Sequence, residues 1–109
     1  MSDNIIFLNK ENQINKVLKD QRKSGALSRI LFVSLWDNWA SILIDSLDDY
    51  SDGIPLYVID SFTMPHAFVI HNVTKTPTLV TLLKDRYVKE DYLPNIYKEL
   101  GCEPVTFSI

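Results

Sequence analysis

The chain has 109 residues, 46% of them hydrophobic and 23% charged, which places it among single globular domains rather than disordered or fibrous chains. A net charge of -3 is the wrong sign for a protein that grips nucleic-acid phosphates, and one cysteine, Cys102, excludes an internal disulfide and a four-cysteine zinc site. No apolar run approaches the ~18 residues that span a bilayer, and residues 1–4 are polar where a signal peptide is basic and then apolar, so a soluble, cytoplasmic protein with no membrane partner is expected.

Ile5-Ile6-Phe7-Leu8 is a short apolar run of strand character. Asn9 is a candidate cap for the helix that follows, where Ile14, Val17, Leu18 and Gln21 recur at helical spacing; Gly25 suits the left-handed position that ends it. Lys16, Lys19, Arg22 and Lys23, with Asp20 among them, read as the solvated side of that helix. Residues 30–35 are apolar apart from Ser34 and show no alternation, the mark of a strand covered on both faces. From Ala40 to Tyr50 the spacing places Leu43, Ile44, Leu47 and Tyr50 on one helical face and Asp45, Asp48 and Asp49 on the other. These acids lack the spacing and closing Glu of a calcium loop.

Asp52-Gly53 turns the chain into a third strand over residues 54–59. Thr63-Met64-Pro65 then starts a short helix with Thr63 as candidate cap, Phe68 and Val69 as anchors and Asn72 as terminator. His66 and His71, five residues apart with no Cys or carboxylate cluster beside them, do not form a metal pair. Residues 79–83 and 87–89, joined by a tight turn at Asp85-Arg86, form a hairpin. Asp91 is a candidate cap for a last helix bearing Leu93, Ile96, Tyr97 and Leu100, ending at Gly101. Residues 102–109 remain; Val105, Phe107 and Ile109 alternate with Thr106 and Ser108, so this piece is either an ordered extra strand or a loose, partner-binding tail.

Two motifs carry a resemblance. Trp36-Asp37-Asn38-Trp39-Ala40-Ser41-Ile42-Leu43 follows the central apolar run, and Thr76-Pro77-Thr78 precedes the fourth one. Together they are similar to thioredoxin, in which a strand runs into Trp-x-x-Trp-Cys-x-x-Cys and a cis-proline faces the cysteines. Ala40 and Leu43 stand where the resemblance puts those cysteines. It extends over residues 5–100: Met64-Pro65 matches an Asn-Pro helix start, and the stretch between Leu43 and Ile54 is shorter than usual.

The resemblance implies an α/β fold with a central mixed sheet of four to five strands and about four helices, built from residues 1–101 with 102–109 as an extension. It also implies a cis Thr76-Pro77 bond. Ser34 occupies the position where redox-active members carry a buried Asp that moves protons; a hydroxyl does not ionise near neutral pH, although Ser34 reads equally well as a small core group bonded to backbone.

A thiol mechanism needs a thiolate at a helix start and a second thiol to resolve the mixed disulfide, and Ala40 and Leu43 supply neither. Ser41 has no base near it in sequence and reads as a helix-start polar group. Three readings remain open: a non-catalytic module that binds another protein, in an accessory or inhibitory role, through Trp39, Ala40, Ser41, Ile42, Thr76 and Pro77; a scaffold using another face or the tail; and a monothiol protein using Cys102. In the first, Trp39 is the binding anchor and Trp36 a core residue. No cofactor, metal or nucleic acid is expected. The purified protein is expected to reduce no insulin disulfide in a turbidity assay, with or without Cys102, and substantial turnover would overturn the non-redox reading.

Overall fold

The computed structural model describes residues 4–34, 36–50, 53–83 and 86–103. In chain order the elements are β1 (Ile5–Leu8), α1 (Glu11–Ser24), β2 (Ser28–Val33), α2 (Asn38–Ser46) continued by a single 3-10 turn (Leu47–Asp49), β3 (Leu56–Asp60), α3 (Pro65–Ile70), β4 (Thr78–Leu83), β5 (Arg86–Glu90) and α4 (Leu93–Leu100). The strands form one mixed sheet in the order β1-β3-β2-β4-β5. β1 and β2 both pair parallel with β3, while β4 runs antiparallel to β2 and to β5. This is the five-stranded, four-helix α/β architecture that the sequence implies.

All six residues of β2 are buried. Alternation along the strand sends Ile30 and Phe32 into one apolar cluster and Leu31 and Val33 into another. The first includes Ile14 of α1 and Ala67 of α3, with the Phe68 ring edge-on to Phe32 at 5.1 Å. The second holds Leu43 of α2, Leu47, Tyr50, and Ile96 and Leu100 of α4. Two helices therefore lie on each face of the sheet.

The helix ends follow sequence logic with small shifts. Gly25, Asn72 and Gly101 take the left-handed conformation at the ends of α1, α3 and α4. At the start of α1 the cap position is Lys10 rather than Asn9, because Gln13 Oε1 reaches back to accept the N–H groups of Asn9 and Lys10 at 2.8 and 3.0 Å. Thr63 does not cap α3 either. Asp60 Oδ2 instead accepts from the amides of Phe62 and Thr63 and from Thr63 Oγ1. Glu90, not Asp91, serves α4: its carboxylate accepts from the Tyr92 amide and from Asn95 Nδ2. Val69, expected as an anchor of α3, is exposed, because in a helix of six residues Ala67 and Phe68 fill the face toward the sheet.

Arg29, outside the apolar run expected as the second strand, belongs to β2 and is buried. Its Nη1 donates to Tyr50 Oη at 3.0 Å, its guanidinium lies 5.9 Å from the Tyr50 ring centre, and Tyr50 Oη donates in turn to the Ile54 carbonyl at 2.6 Å. This network fixes the 3-10 turn against the start of β2. The turn expected at Asp85 and the stretch 104–109 lie outside the described residues. No helix among the described residues is long and apolar enough to cross a membrane.

Tyr50→Phe keeps the ring under the guanidinium and deletes both hydroxyl bonds. The expected loss is about 1–3 kcal/mol of unfolding free energy, read as a lower urea midpoint with an unchanged slope.

Candidate functional site

The parallel strands β2 and β3 stop side by side, with Val33 paired to Asp60, so the loops that leave them emerge together. The Ser61 amide donates to the Val33 carbonyl at 3.0 Å and ties the second loop to the first. In the first loop the Asp37 amide donates to Ser34 O, and the Ala40 amide to Asp37 O, which opens α2. The Asp37 carboxylate leaves its own helix uncapped and turns across the cleft: Thr76 Oγ1 donates to Asp37 Oδ2 at 2.8 Å. Thr76-Pro77 is cis, as the resemblance implies, and leads directly into β4. The start of α2, the loop after β3 and the Thr76-Pro77 step thus form one rim.

The side chains on this rim differ from those expected. Trp36, read from the sequence as a packing residue, is 75% exposed; it lies in the turn before α2 and outside its helical face. Trp39, read as the exposed anchor, packs half-buried against the cluster holding Leu43, its neighbour one helical turn on. Ala40 is fully buried and Pro77 is buried, so neither side chain presents contact area. Ile42 and Thr76 are half-buried, and Ser41 is exposed.

Ser41 Oγ donates to the Asn38 carbonyl at 3.4 Å, the local bond of a helix-start hydroxyl. Neither His66 nor His71 hydrogen-bonds to it. His66 is exposed on α3, while His71 lies beyond its end, 6.0 Å from the Phe32 ring centre. Among the described residues no group of three or more His, Cys, Asp or Glu is arranged to hold a metal ion.

Sequence reasoning missed Phe62. It is 71% exposed in the loop after β3, and its ring meets Trp36 edge-to-face with centroids 5.9 Å apart. The pair falls in the favourable range for aromatic contact, yet both rings are left mainly in water. The signal was the polar setting Asp60-Ser61-Phe62-Thr63: a large ring in a segment whose neighbours bind backbone has no core to enter.

Leu43 is fully buried in the α2–α4 cluster, so the two positions that would carry cysteines are filled by core side chains. Cys102, at the far end of α4, is buried in that same cluster, with Sγ 3.6 Å from the Leu100 carbonyl. Thiol exchange needs an accessible sulfur, and burial in apolar surroundings disfavours the thiolate.

Sheet order, cis-proline and rim geometry define the thioredoxin fold. Solved structures bear this out: the chain matches thioredoxin O2 from Arabidopsis thaliana at 19% identity over 92% of this chain and 96% of the other, with a TM-score of 0.67. A thioredoxin from Nicotiana alata matches at 14% identity and 93% coverage of both chains, TM-score 0.71, and Fasciola hepatica thioredoxin at 16% identity over 88% and 96%, TM-score 0.68. No protein-family model and no curated protein sequence matches the chain.

Thr76→Val removes the bond to Asp37 and is expected to cost about 1.5–3 kcal/mol, the range for a hydrogen bond to a charged group. Thr76→Ser keeps the donor and should recover most of that loss in urea unfolding.

Proposed function

We propose that the protein is a non-catalytic thioredoxin-fold module that binds another protein through the rim, with Trp36 and Phe62 as its anchors and Ser41, Ile42 and Thr76 beside them. The observation that carries this reading is the exposed Trp36–Phe62 pair next to a start of α2 that holds no cysteine. Burying a ring of this size is worth roughly 1.5–3 kcal/mol, so two touching rings kept in solvent represent binding energy the fold leaves unused. Single exposed apolar residues are ordinary on protein surfaces; an aromatic pair fixed by backbone bonds in two tied loops is a preformed patch.

Trp39 supports the rim from beneath, Ala40 contributes only its backbone, and the partner-facing aromatic surface comes from Trp36 and Phe62. The absence of an accessible thiol at the start of α2 supports a module that holds its partner without forming a covalent link.

Photo-crosslinking with a benzophenone side chain at position 41, in the organism's own extract, would identify the bound protein. Binding by that purified partner is then expected to weaken about thirtyfold in Trp36→Ala and in Phe62→Ala, as for loss of a central aromatic anchor. Both variants should unfold within ~0.5 kcal/mol of the parent, since they remove exposed surface. Trp39→Ala should lose about 2 kcal/mol or more of stability because it opens space beside Leu43. Normal partner binding by both Trp36→Ala and Phe62→Ala would rule out the rim.

A further inference from the structure

β5 is the last strand of the sheet, and among the described residues no strand pairs with its outer side. Four of its five residues are exposed and Glu90 is half-buried; Tyr87 and Val88 keep 44% and 45% of their surface in water. Every second residue of such a strand turns its N–H and C=O outward, so β5 holds a row of backbone groups that a further strand can take up. At the opposite edge β1 carries no charge that would select a partner. β5 carries three.

Register with β4 sets the faces of those charges. Arg86 pairs with Leu83, Val88 with Thr81 and Glu90 with Leu79, so these three side chains share the sheet face covered by α2 and α4, whereas Tyr87 and Lys89 lie on the other. Along one extended strand Arg86 and Glu90 stand four residues apart, about 13 Å, too far to meet each other. Lys89 is folded back on its own chain, with Nζ donating to the carbonyls of His71 and Asn72 at 2.8 and 3.1 Å. The two Glu90 oxygens each accept one bond, from Asn95 Nδ2 and from the Tyr92 amide, and each keeps a lone pair for a further donor. A shallow hollow of about 180 Å³, lined by Thr81, Leu83, Val88, Lys89, Glu90 and Glu99, leaves room beside Val88 for a further side chain.

We propose that β5 is a dimer interface: a second copy of the chain lays its own β5 antiparallel along this edge, about a two-fold axis at Val88, and joins the two sheets into one. The register that pairs all five residues sets Val88 opposite Val88, Tyr87 opposite Lys89, and Arg86 opposite Glu90 of the second copy, and the symmetry makes each unlike pair twice. Directly opposed side chains of an antiparallel pair lie about 5 Å apart on one face, where unlike charges attract and like charges repel. A parallel copy in the same frame sets Arg86 against Arg86 and Glu90 against Glu90, so the charges select the antiparallel one. Charges on an edge strand ordinarily deter any passing strand; here their order is its own complement, which admits this chain while deterring others. A five-residue edge is small for an interface, so dimerisation is weak and depends on concentration. The interface is distinct from the aromatic rim and does not rest on the reading of that rim.

The test is sedimentation equilibrium of the full chain from about 10 µM to about 1 mM, the range of a weak interface. The mass is expected to rise from monomer toward dimer. Arg86→Glu and Glu90→Lys each set like charges opposite one another twice, and each alone should weaken dimerisation at least tenfold. An equimolar mixture of the two variants restores both unlike pairs and should dimerise as the parent does. Lost stability in either chain, including a weakened start of α4 in Glu90→Lys, cannot produce that recovery. Isotope-filtered resonance spectra of mixed labelled and unlabelled chains should place the contacts at residues 86–90. The proposal fails if the chain stays monomeric at the highest concentration, if Arg86→Glu dimerises as the parent does, if the mixed variants stay monomeric, or if the contacts centre on β1. It also fails if Trp36→Ala abolishes the dimer, which would seat the second copy on the rim.

Discussion

The burial of β2 on both faces and along both edges is the constraint from which the rest of the molecule follows. A strand with no exposed side leaves every backbone group to be satisfied by neighbouring strands and every side chain to be covered by helices. β3 and β4 meet the first demand, one parallel and one antiparallel. The second divides the helices, because alternate residues face opposite ways: Ile30 and Phe32 call for α1 and α3, and Leu31 and Val33 for α2 and α4. A one-residue slip of β2 would exchange these two sets and place Arg29 in the cluster that has no Tyr50 to receive it.

The rim is a consequence of the same arrangement. Parallel strands need crossovers, so β2 and β3 both finish at one edge of the sheet and release their loops there. The antiparallel β4 begins at that edge, which brings Thr76-Pro77 between the same loops. Open α/β sheets place their sites outside the carboxyl ends of the strands for this reason. What the sequence changes is the chemistry set on that frame. Ala40 and Leu43 fill core positions at the start of α2, and the exposed surface passes to Trp36 and Phe62.

Much of the fold was legible because its signals are local. The apolar run at residues 30–33, the glycines at 25 and 101 and Asn72 each determine their own conformation within a few residues, whereas the cis Thr76-Pro77 bond is implied only by the resemblance. The errors arose where a residue's environment depends on where an element begins. The two tryptophans exchanged roles because α2 starts at Asn38: Trp39 then shares a face with Leu43, while Trp36 stays in the turn. Arg29 was missed because a charged residue at the head of an apolar run gives no sign that a tyrosine 21 positions later will meet it. Phe62 was missed because periodicity says nothing about rings in loops.

The rim sits at the Thr78 end of β4, and the pairing of that strand determines whether a change at its other end reaches it. Coupling two sites needs an element with two arrangements that both ligands bias. β4 is paired to β2 from Thr78 to Leu82 and to β5 from Leu79 to Leu83. Its Leu79, Val80 and Leu82 are buried in alternate clusters, so no second register keeps all three in the core. A change at the Leu82 end therefore has no mobile strand through which to shift Thr76 and its bond to Asp37. The central sheet that creates the rim also isolates it from the far end of β4.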